Sequence, residues 1–153
     1  MDATDMKALA VLQRDGRVTW SSLGEALGLT APAAADRVRR LEEAGVVAGY
    51  TALLDAGSLG VDLTAFVSVS LSSHARRTAF LALIGRTPEI LECHHIAGDE
   101  DFLLKVRCRG MGDLETLLTR KLKASGAVAR SRTVVVLSTE KETHAVPLDG
   151  VKP

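Results

Sequence analysis

The spacing of hydrophobic positions divides the chain into two segments. Up to about Ala44, the apolar residues recur three and four positions apart, as on one face of a helix. From Leu63 onward, stretches in which apolar and polar residues alternate are separated by stretches with helical spacing. The sequence therefore predicts a helical N-terminal segment, followed by a segment of mixed helices and strands.

Three helices are predicted in the first segment, with a short turn between the second and the third. Their ends are marked by glycines and by side chains that can cap a helix. These markers are Asp15 and Gly16 after the first helix, Thr19 and Gly28 around the second, and Thr30 and Gly45 around the third. Pro32 lies in the first turn of the third helix, where proline is tolerated. This arrangement is typical of a helix-turn-helix unit.

The second segment is predicted to fold in the order β-α-β-β-α-β, which is the ferredoxin-like arrangement. The predicted strands cover 63–71, 91–97, 102–109 and 133–137, and the helices are centred on Phe80–Ile84 and Leu114–Leu122. Both helices of such a fold cover one face of the sheet, so a second subunit is expected on the other face. The predicted fold class is α+β, with an N-terminal helix-turn-helix (winged-helix-like) domain joined to a C-terminal ferredoxin-like βαββαβ domain.

The domain boundaries are predicted from shifts in composition. A glycine-containing stretch, 53–62, is expected to link a helix-turn-helix domain at 1–52 to a ferredoxin-like domain at 63–140. The remaining residues, 141–153, are mostly polar and are expected to form a loosely held tail.

Composition excludes some classes of protein but identifies no partner. The chain has 19 Lys and Arg against 19 Asp and Glu, so the total charge indicates neither an acidic nor a basic partner. It contains no run of about 18 apolar residues, which argues against a membrane span, and no signal-peptide pattern at its start. The two cysteines, Cys93 and Cys108, are too few for a disulfide scaffold, so a cytoplasmic location is expected.

The third helix carries the first candidate site. Arg37, Arg39 and Arg40 can reach phosphates and guanine edges if this helix enters a major groove of double-stranded DNA. The alternative is a solvated helix face, on which these arginines pair with neighbouring acidic residues. Those acidic residues are Asp36, Glu42 and Glu43. Residues 1–52 hold six basic and seven acidic side chains, so charge alone does not decide between the two.

The starts of the second and third helices can add backbone N–H contacts to DNA phosphates. The residues at these starts are Ser21, Ser22, Thr30, Ala31, Pro32 and Ala33. Because alanine side chains offer no hydrogen bonds, few base contacts are expected here. Phosphate contacts and DNA shape are expected to contribute more to binding.

The predicted turn Gly98-Asp99-Glu100-Asp101 is the second candidate site. Carboxylates beside backbone N–H groups can hold the amino and carboxyl groups of a small zwitterion. The alternative is a plain hairpin turn, since Gly and Asp are common in turns. A metal site built from the three acidic residues is conceivable, but no ligand spacing supports it.

His94 and His95 are adjacent on a predicted strand and so point to opposite faces, which prevents them from sharing a metal ion. Cys93 and Cys108 are expected to behave as small buried hydrophobic residues. The sequence shows no nucleophile motif, phosphate-binding glycine loop or HExxH motif. No enzymatic activity, metal or cofactor is therefore expected.

Several short motifs along the chain resemble those of one known family. They are DATD at 2–5, LQRDGR at 12–17, GLT at 28–30, RVRRLE at 37–42, GVV at 45–47, GY at 49–50, PEILEC at 88–93 and, with position 100 left out of the match, GDxDFLLKV at 98–106. With this spacing the chain resembles, from Asp2 to about Leu137, the Lrp/AsnC (leucine-responsive/asparagine-type) transcription regulators of bacteria and archaea.

The resemblance implies a DNA-binding helix-turn-helix domain, joined by a hinge to an amino-acid-sensing domain that forms homodimers and often tetramers or octamers. In that family the effector, usually an amino acid, binds between subunits. Carried onto this chain, the effector positions are Ala97, Gly98, Asp99, Glu100, Asp101 and Thr133. Asp101 is expected to bind the amino group of the effector, and the backbone around Gly98 its carboxylate.

Two departures from the family pattern concern specificity. Glu100 stands where many members have an aromatic residue, which affects the shape and charge of the effector pocket. Asp36 and the alanines before Arg37 replace more polar or basic residues, which affects the choice of operator.

Two other functions remain open from the sequence alone. The sirohaem decarboxylases resemble the same family over both domains and use histidines near a tetrapyrrole, so His94 and His95 keep an enzyme possible. A binding module that senses amino acids without contacting DNA is the other alternative.

Overall fold

The structure is a computed structural model, which describes residues 1–151 and forms two compact units. One unit contains the chain up to Leu53 together with residues 142–151, and the other contains Leu54–Lys141. Each unit buries a hydrophobic core of its own. Within residues 1–151, no helix is both long enough and apolar enough to cross a membrane.

The N-terminal unit contains the three helices that the sequence predicts. They are α1 (Ala3–Arg14), α2 (Trp20–Leu27) and α3 (Ala31–Glu43). Thr19 and Thr30 cap α2 and α3 as expected, each accepting a hydrogen bond from a backbone N–H three residues further on. Gly28 ends α2 with φ 67°, a left-handed conformation that favours glycine.

The α2–α3 pair packs through small apolar residues. Leu23 of α2 and Ala34 and Val38 of α3 are fully buried at the centre of this core. Gly24 is also buried, and a Cβ atom there would lie 2.7 Å from the carbonyl oxygen of Leu29. Only glycine therefore fits at position 24. Its lack of a side chain lets α2 approach the turn that leads into α3.

The C-terminal segment contacts α1, although the sequence predicts a loosely held tail. The Gln13 side-chain amide donates to the carbonyl oxygen of Val146 at 3.2 Å and accepts from the Val146 N–H at 2.6 Å. The Gln13 amide thus pairs with the Val146 backbone much as a neighbouring strand would. This segment belongs to the N-terminal unit.

The C-terminal unit is a four-stranded antiparallel sheet with helices in the predicted order. Its strands are β1 (Leu63–Leu71), β2 (Ile90–His95), β3 (Phe102–Cys108) and β4 (Val128–Val135). Its helices are α4 (Arg77–Gly85), after a 3-10 turn at His74–Arg76, and α5 (Met111–Thr116). The strand order β2-β3-β1-β4 confirms the ferredoxin-like prediction.

One face of the sheet is buried under the helices. On β3, Phe102, Leu104, Val106 and Cys108 are all buried, as the alternating pattern predicts. Phe80 of α4 packs against Phe102 with ring centroids 4.9 Å apart. The core therefore lies between α4, α5 and this face of the sheet.

Two predicted elements differ from the structure. The last strand runs over Val128–Val135 instead of 133–137, because Arg130, Ser131 and Arg132 hide its start in a hydrophobicity pattern. The last helix continues beyond α5 as a π-helical segment, Leu117–Leu122. That segment buries Leu117 and Leu122, so the apolar spacing predicts the buried residues correctly, although the helix is of the π type.

Candidate functional site

The predicted phosphate-binding residues at the starts of α2 and α3 are mostly exposed. Ser21 and Ser22 at the start of α2, and Thr30, Pro32 and Ala33 at the start of α3, are exposed, while Ala31 is partly buried. Beyond the capping bonds, the N–H groups of Trp20 and Ser21 have no partner within α2. At the start of α3 only the Ala31 N–H is left in this way, because Pro32 carries no N–H. Phosphate binding at the two helix starts stays a prediction.

The arginines of α3 occupy two different faces of this helix. Ala34, Val38 and Leu41 form the buried stripe. Arg37 is three residues after Ala34 and four before Leu41, which places it beside that stripe. Arg39 and Arg40 lie farther from that stripe and are exposed.

Arg37 forms an ion cluster with the start of α1, called here the Arg37 cluster (Arg37, Asp2 and Asp5). Its Nη1 atom donates to both carboxylate oxygens of Asp2, at 2.8 and 2.7 Å, and to Oδ1 of Asp5 at 2.6 Å. The Arg37 side chain is only 19% exposed. This guanidinium therefore already has anionic partners within the chain.

Arg39 and Arg40 differ from Arg37 in exposure and partners. Arg39 is 63% exposed and pairs with Asp36 at 2.9 Å and with Glu43 at 3.7 Å. Such exposed pairs contribute little to stability, so a phosphate can compete for this arginine. Within residues 1–151, Arg40 forms no ion pair. The third acidic neighbour, Glu42, accepts a hydrogen bond from Tyr50 instead.

The Tyr50 hydroxyl donates to Glu42 at 2.8 Å. Burial and this carboxylate raise the pKa of Tyr50 to about 12. The Tyr50 hydroxyl therefore keeps its proton near neutral pH and donates this hydrogen bond to Glu42. The bond links the segment after α3 to that helix.

The second candidate site lies at the turn between β2 and β3, where Asp101 makes three contacts. Its Oδ2 atom accepts from the Leu71 N–H at 2.7 Å, and its own N–H donates to the carbonyl oxygen of Val69 at 2.9 Å. Its carbonyl oxygen accepts from the Ile96 N–H at 3.1 Å. Asp101 thus joins the turn to the end of β1, where the register between β1 and β4 shifts.

The other predicted effector positions are only partly brought together. Ala97, Gly98 and Asp99 are exposed, and Glu100 is partly buried, with Oε1 3.9 Å from the guanidinium of Arg132. Thr133 lies opposite Val67 in the β1–β4 register. Since directly opposed residues share a face, Thr133 points to the helix-covered side of the sheet. The structure therefore does not place it in the turn of its own chain.

His94 and His95 point to opposite faces of the sheet, as predicted. His94 lies 3.0 Å from Glu92, whereas the His95 ring packs 5.2 Å from that of Phe102. Burial raises the pKa of both the Cys93 and Cys108 thiols, which disfavours reactive thiolates. Residues 1–151 contain no group of three or more His, Cys, Asp or Glu side chains that could hold a metal ion.

We expect the Arg37 cluster to make the protein sensitive to acid. The hydrogen bond from Arg37 lowers the pKa of Asp2 below 3.8; for Asp5, burial raises the pKa, but the bonds from Arg37 and the Asp2 backbone outweigh it. Carboxyls with a lowered folded-state pKa stabilise the fold above pH of about 4 and lose that contribution as the pH falls further. Thermal unfolding from pH 6 to pH 2 should show a smaller loss of Tm in Asp2→Asn/Asp5→Asn than in the wild type. Equal losses would contradict the prediction.

Comparison with known proteins identifies the family. A sequence model of the AsnC-type helix-turn-helix domain matches residues 1–42, and one of the Lrp/AsnC ligand-binding domain matches residues 64–146. The chain belongs to the Lrp/AsnC family of transcription regulators. The resemblance noted from the sequence is confirmed.

Individual relatives of this Lrp/AsnC protein extend over its whole length. It is 39% identical over 150 residues to the leucine-responsive regulatory protein of Rhizobium meliloti, covering 97% of this chain and 96% of that one. It is 32% identical over 151 residues to the transcriptional regulator AzlB of Bacillus subtilis, with the same shares covered. A Neisseria meningitidis transcriptional regulator, solved in complex with L-Met, superimposes with a TM-score of 0.94 at 33% identity, covering 97% of both chains.

These matches decide between the functions that the sequence left open. The Lrp/AsnC protein is a DNA-binding transcription regulator with a ligand-binding domain, and not an enzyme. The sirohaem-decarboxylase alternative is therefore wrong.

Three features of the N-terminal unit were missed from the sequence. They are the close approach at Gly24, the Arg37 cluster and the Gln13–Val146 pair. A glycine inside a short predicted helix was the available signal for the first. The other two join residues 32 or more positions apart, which periodicity does not reveal.

Proposed function

We propose that this Lrp/AsnC regulator binds double-stranded DNA through α2 and α3, and that an amino acid bound to the C-terminal unit changes its DNA affinity. The observation that carries the proposal is the similarity to the Neisseria meningitidis regulator, whose structure contains L-Met. As a regulator of transcription, the protein would act in the cytoplasm, where the DNA is.

The proposed DNA contacts combine charged side chains with helix starts. Arg39 and Arg40 are the exposed cations of α3, and they are placed to reach phosphates or guanine edges. The two helix starts add N–H groups for phosphates. The residues at those starts are Ser21, Ser22, Thr30, Ala31, Pro32 and Ala33. Since most of these groups address the DNA backbone, binding should depend steeply on salt.

The proposed effector site is centred on the turn between β2 and β3. The Oδ1 atom of Asp101 has no hydrogen-bond partner within residues 1–151, so it can accept from the ammonium group of an amino acid. The exposed backbone around Gly98, with Ala97 and Asp99, can meet the carboxylate. Glu100 would then border the pocket with a negative charge.

We propose that a second copy of the chain covers the open face of the sheet, which is the face that α4 and α5 do not cover. Register places Phe66, Lys105 and Val134 on this face, where Phe66 is 37% and Val134 is 57% exposed. Covering such side chains by a homodimer removes apolar surface from water. Further assembly to a tetramer or octamer is part of the proposal, and Thr133 would belong to the effector site only in such an assembly.

The proposal predicts that one or a few of the twenty amino acids stabilise the protein. A ligand at a hundredfold excess over its Kd stabilises the folded state by about 2.7 kcal/mol, which raises Tm by roughly 5–10 °C at this size. Thermal unfolding with each amino acid in turn measures the effect, and for every chiral amino acid the D-enantiomer is the matched control. If no L-amino acid shifts Tm, the amino-acid part of the proposal is wrong.

A further inference from the structure

The three arginines of α3 are close in sequence, but the structure separates them by role. Arg37 lies beside the buried stripe and is held by two carboxylates, whereas Arg39 and Arg40 are exposed to solvent. A side chain with one-fifth exposure and two anionic partners is poorly placed to neutralise a phosphate. The predicted role of Arg37 as a DNA contact is therefore the least supported of the three.

Both carboxylates of the Arg37 cluster are themselves fixed by the start of α1. Asp2 Oδ1 accepts from the Asp5 N–H at 2.8 Å, and Asp5 Oδ2 accepts from the Asp2 N–H at 2.7 Å. This reciprocal pair is a capping box. Because the same two residues cap α1 and bind Arg37, the orientation of α3 is tied to the first turn of α1.

We propose that Arg37 is a positioning residue for DNA binding: its ion cluster with Asp2 and Asp5 clamps the middle of α3 to the start of α1. The clamp sets the angle at which Arg39, Arg40 and the start of α3 meet DNA. The inference rests on the proposed use of α2 and α3 for DNA binding. Arg37 itself neutralises no phosphate.

A phosphate contact and a positioning role differ in their salt dependence. Each phosphate contact contributes about −0.9 to the slope of log K against log salt for duplex DNA. Losing a positioning residue weakens binding at every salt concentration and leaves that slope unchanged. The two roles also predict opposite effects of removing Asp2 and Asp5. Without those carboxylates, a DNA-binding Arg37 would be released and would bind more tightly, whereas a positioning Arg37 would lose its clamp.

The test measures the Kd of the full-length protein for the duplex upstream of its own gene, and for a scrambled duplex of equal length, over a range of salt concentrations. Arg37→Gln should raise Kd by about tenfold, or about 1.4 kcal/mol, with the wild-type slope. Asp2→Asn/Asp5→Asn should raise Kd similarly, although it removes two negative charges. Combining both changes should add less than about a twofold further loss, because the two sides of one cluster are coupled.

Two further variants serve as controls for this test. Arg40→Gln should lower the slope by about 0.9, as expected for a lost phosphate contact. Arg37→Lys, whose ammonium group can lie between the same carboxylates, should recover most of the affinity that Arg37→Gln loses.

A slope that falls by about 0.9 in Arg37→Gln, or tighter binding by Asp2→Asn/Asp5→Asn, would overturn the inference. If circular dichroism shows that Arg37→Gln is unfolded, the direction in which Asp2→Asn/Asp5→Asn changes the Kd for DNA still distinguishes a positioning role from a phosphate contact. If the wild type binds neither duplex, the proposed DNA-binding surface itself is wrong, which is a different outcome.

Discussion

Replacing both Arg39 and Arg40 with glutamine is expected to weaken DNA binding by roughly 100-fold, since each lost arginine contact to a guanine costs about 1–3 kcal/mol. Both side chains are exposed, and neither lies in the hydrophobic core, so the fold should remain intact. If both arginines contact phosphates, the slope of log K against log salt should also fall by about 1.8. Titration of a labelled duplex at several salt concentrations measures both quantities.

A variant with the same change in net charge separates contact from overall charge. Arg120→Gln/Lys123→Gln also removes two exposed cations, but from the helical side of the C-terminal unit. Its effect on DNA affinity should be much smaller than that of the α3 double variant. If both double variants lose affinity equally, α3 is not the DNA-contacting surface and only total charge matters.

The second large effect is expected at Asp101. Asp101→Asn keeps an oxygen that can accept from the Leu71 N–H, but it removes the negative charge offered to the ammonium group of the effector. Hydrogen bonds to charged groups contribute about 1.5–3 kcal/mol, so the Kd for the amino acid found by thermal unfolding should rise roughly 10- to 150-fold. Isothermal titration calorimetry measures this Kd directly.

Two further variants distinguish ligand binding from folding at this position. Asp101→Ala should lose the effector and also lower Tm, because the Leu71 N–H then loses its partner at the end of β1. Glu115→Gln removes an exposed carboxylate from α5 and should change neither quantity. If Asp101→Asn binds the amino acid as tightly as the wild type, Asp101 does not bind the effector. Its role is then limited to accepting the hydrogen bond from the Leu71 N–H.

Local signals predicted most of the fold because they act over a few residues. Thr19, Thr30 and Gly28 set helix ends through contacts within four positions, and each lies where it was expected. The alternation along β3 likewise predicts its buried face. In β4 the pattern fails, since cations such as Arg130 and Arg132 occupy the open face and leave little apolar alternation.

Partners distant in sequence limited the prediction of the candidate sites. Arg37 looks like its neighbours Arg39 and Arg40 in the sequence, and only folding brings it to Asp2. The role of Asp101 at the end of β1 depends on Leu71, 30 residues away. The sequence could therefore identify candidate residues, but it could not separate those that hold the fold from those that face a ligand.

The most direct test of ligand-controlled DNA binding is a gel-shift titration of the duplex upstream of the protein's own gene, with and without the amino acid that raises Tm. Ligand-controlled DNA binding predicts that this amino acid changes the Kd for DNA by about 5- to 150-fold, the usual range of coupling between two sites. It also predicts that saturating DNA changes the Kd for the amino acid by the same factor. Identical DNA affinity with and without a bound amino acid would show that the ligand does not control DNA binding.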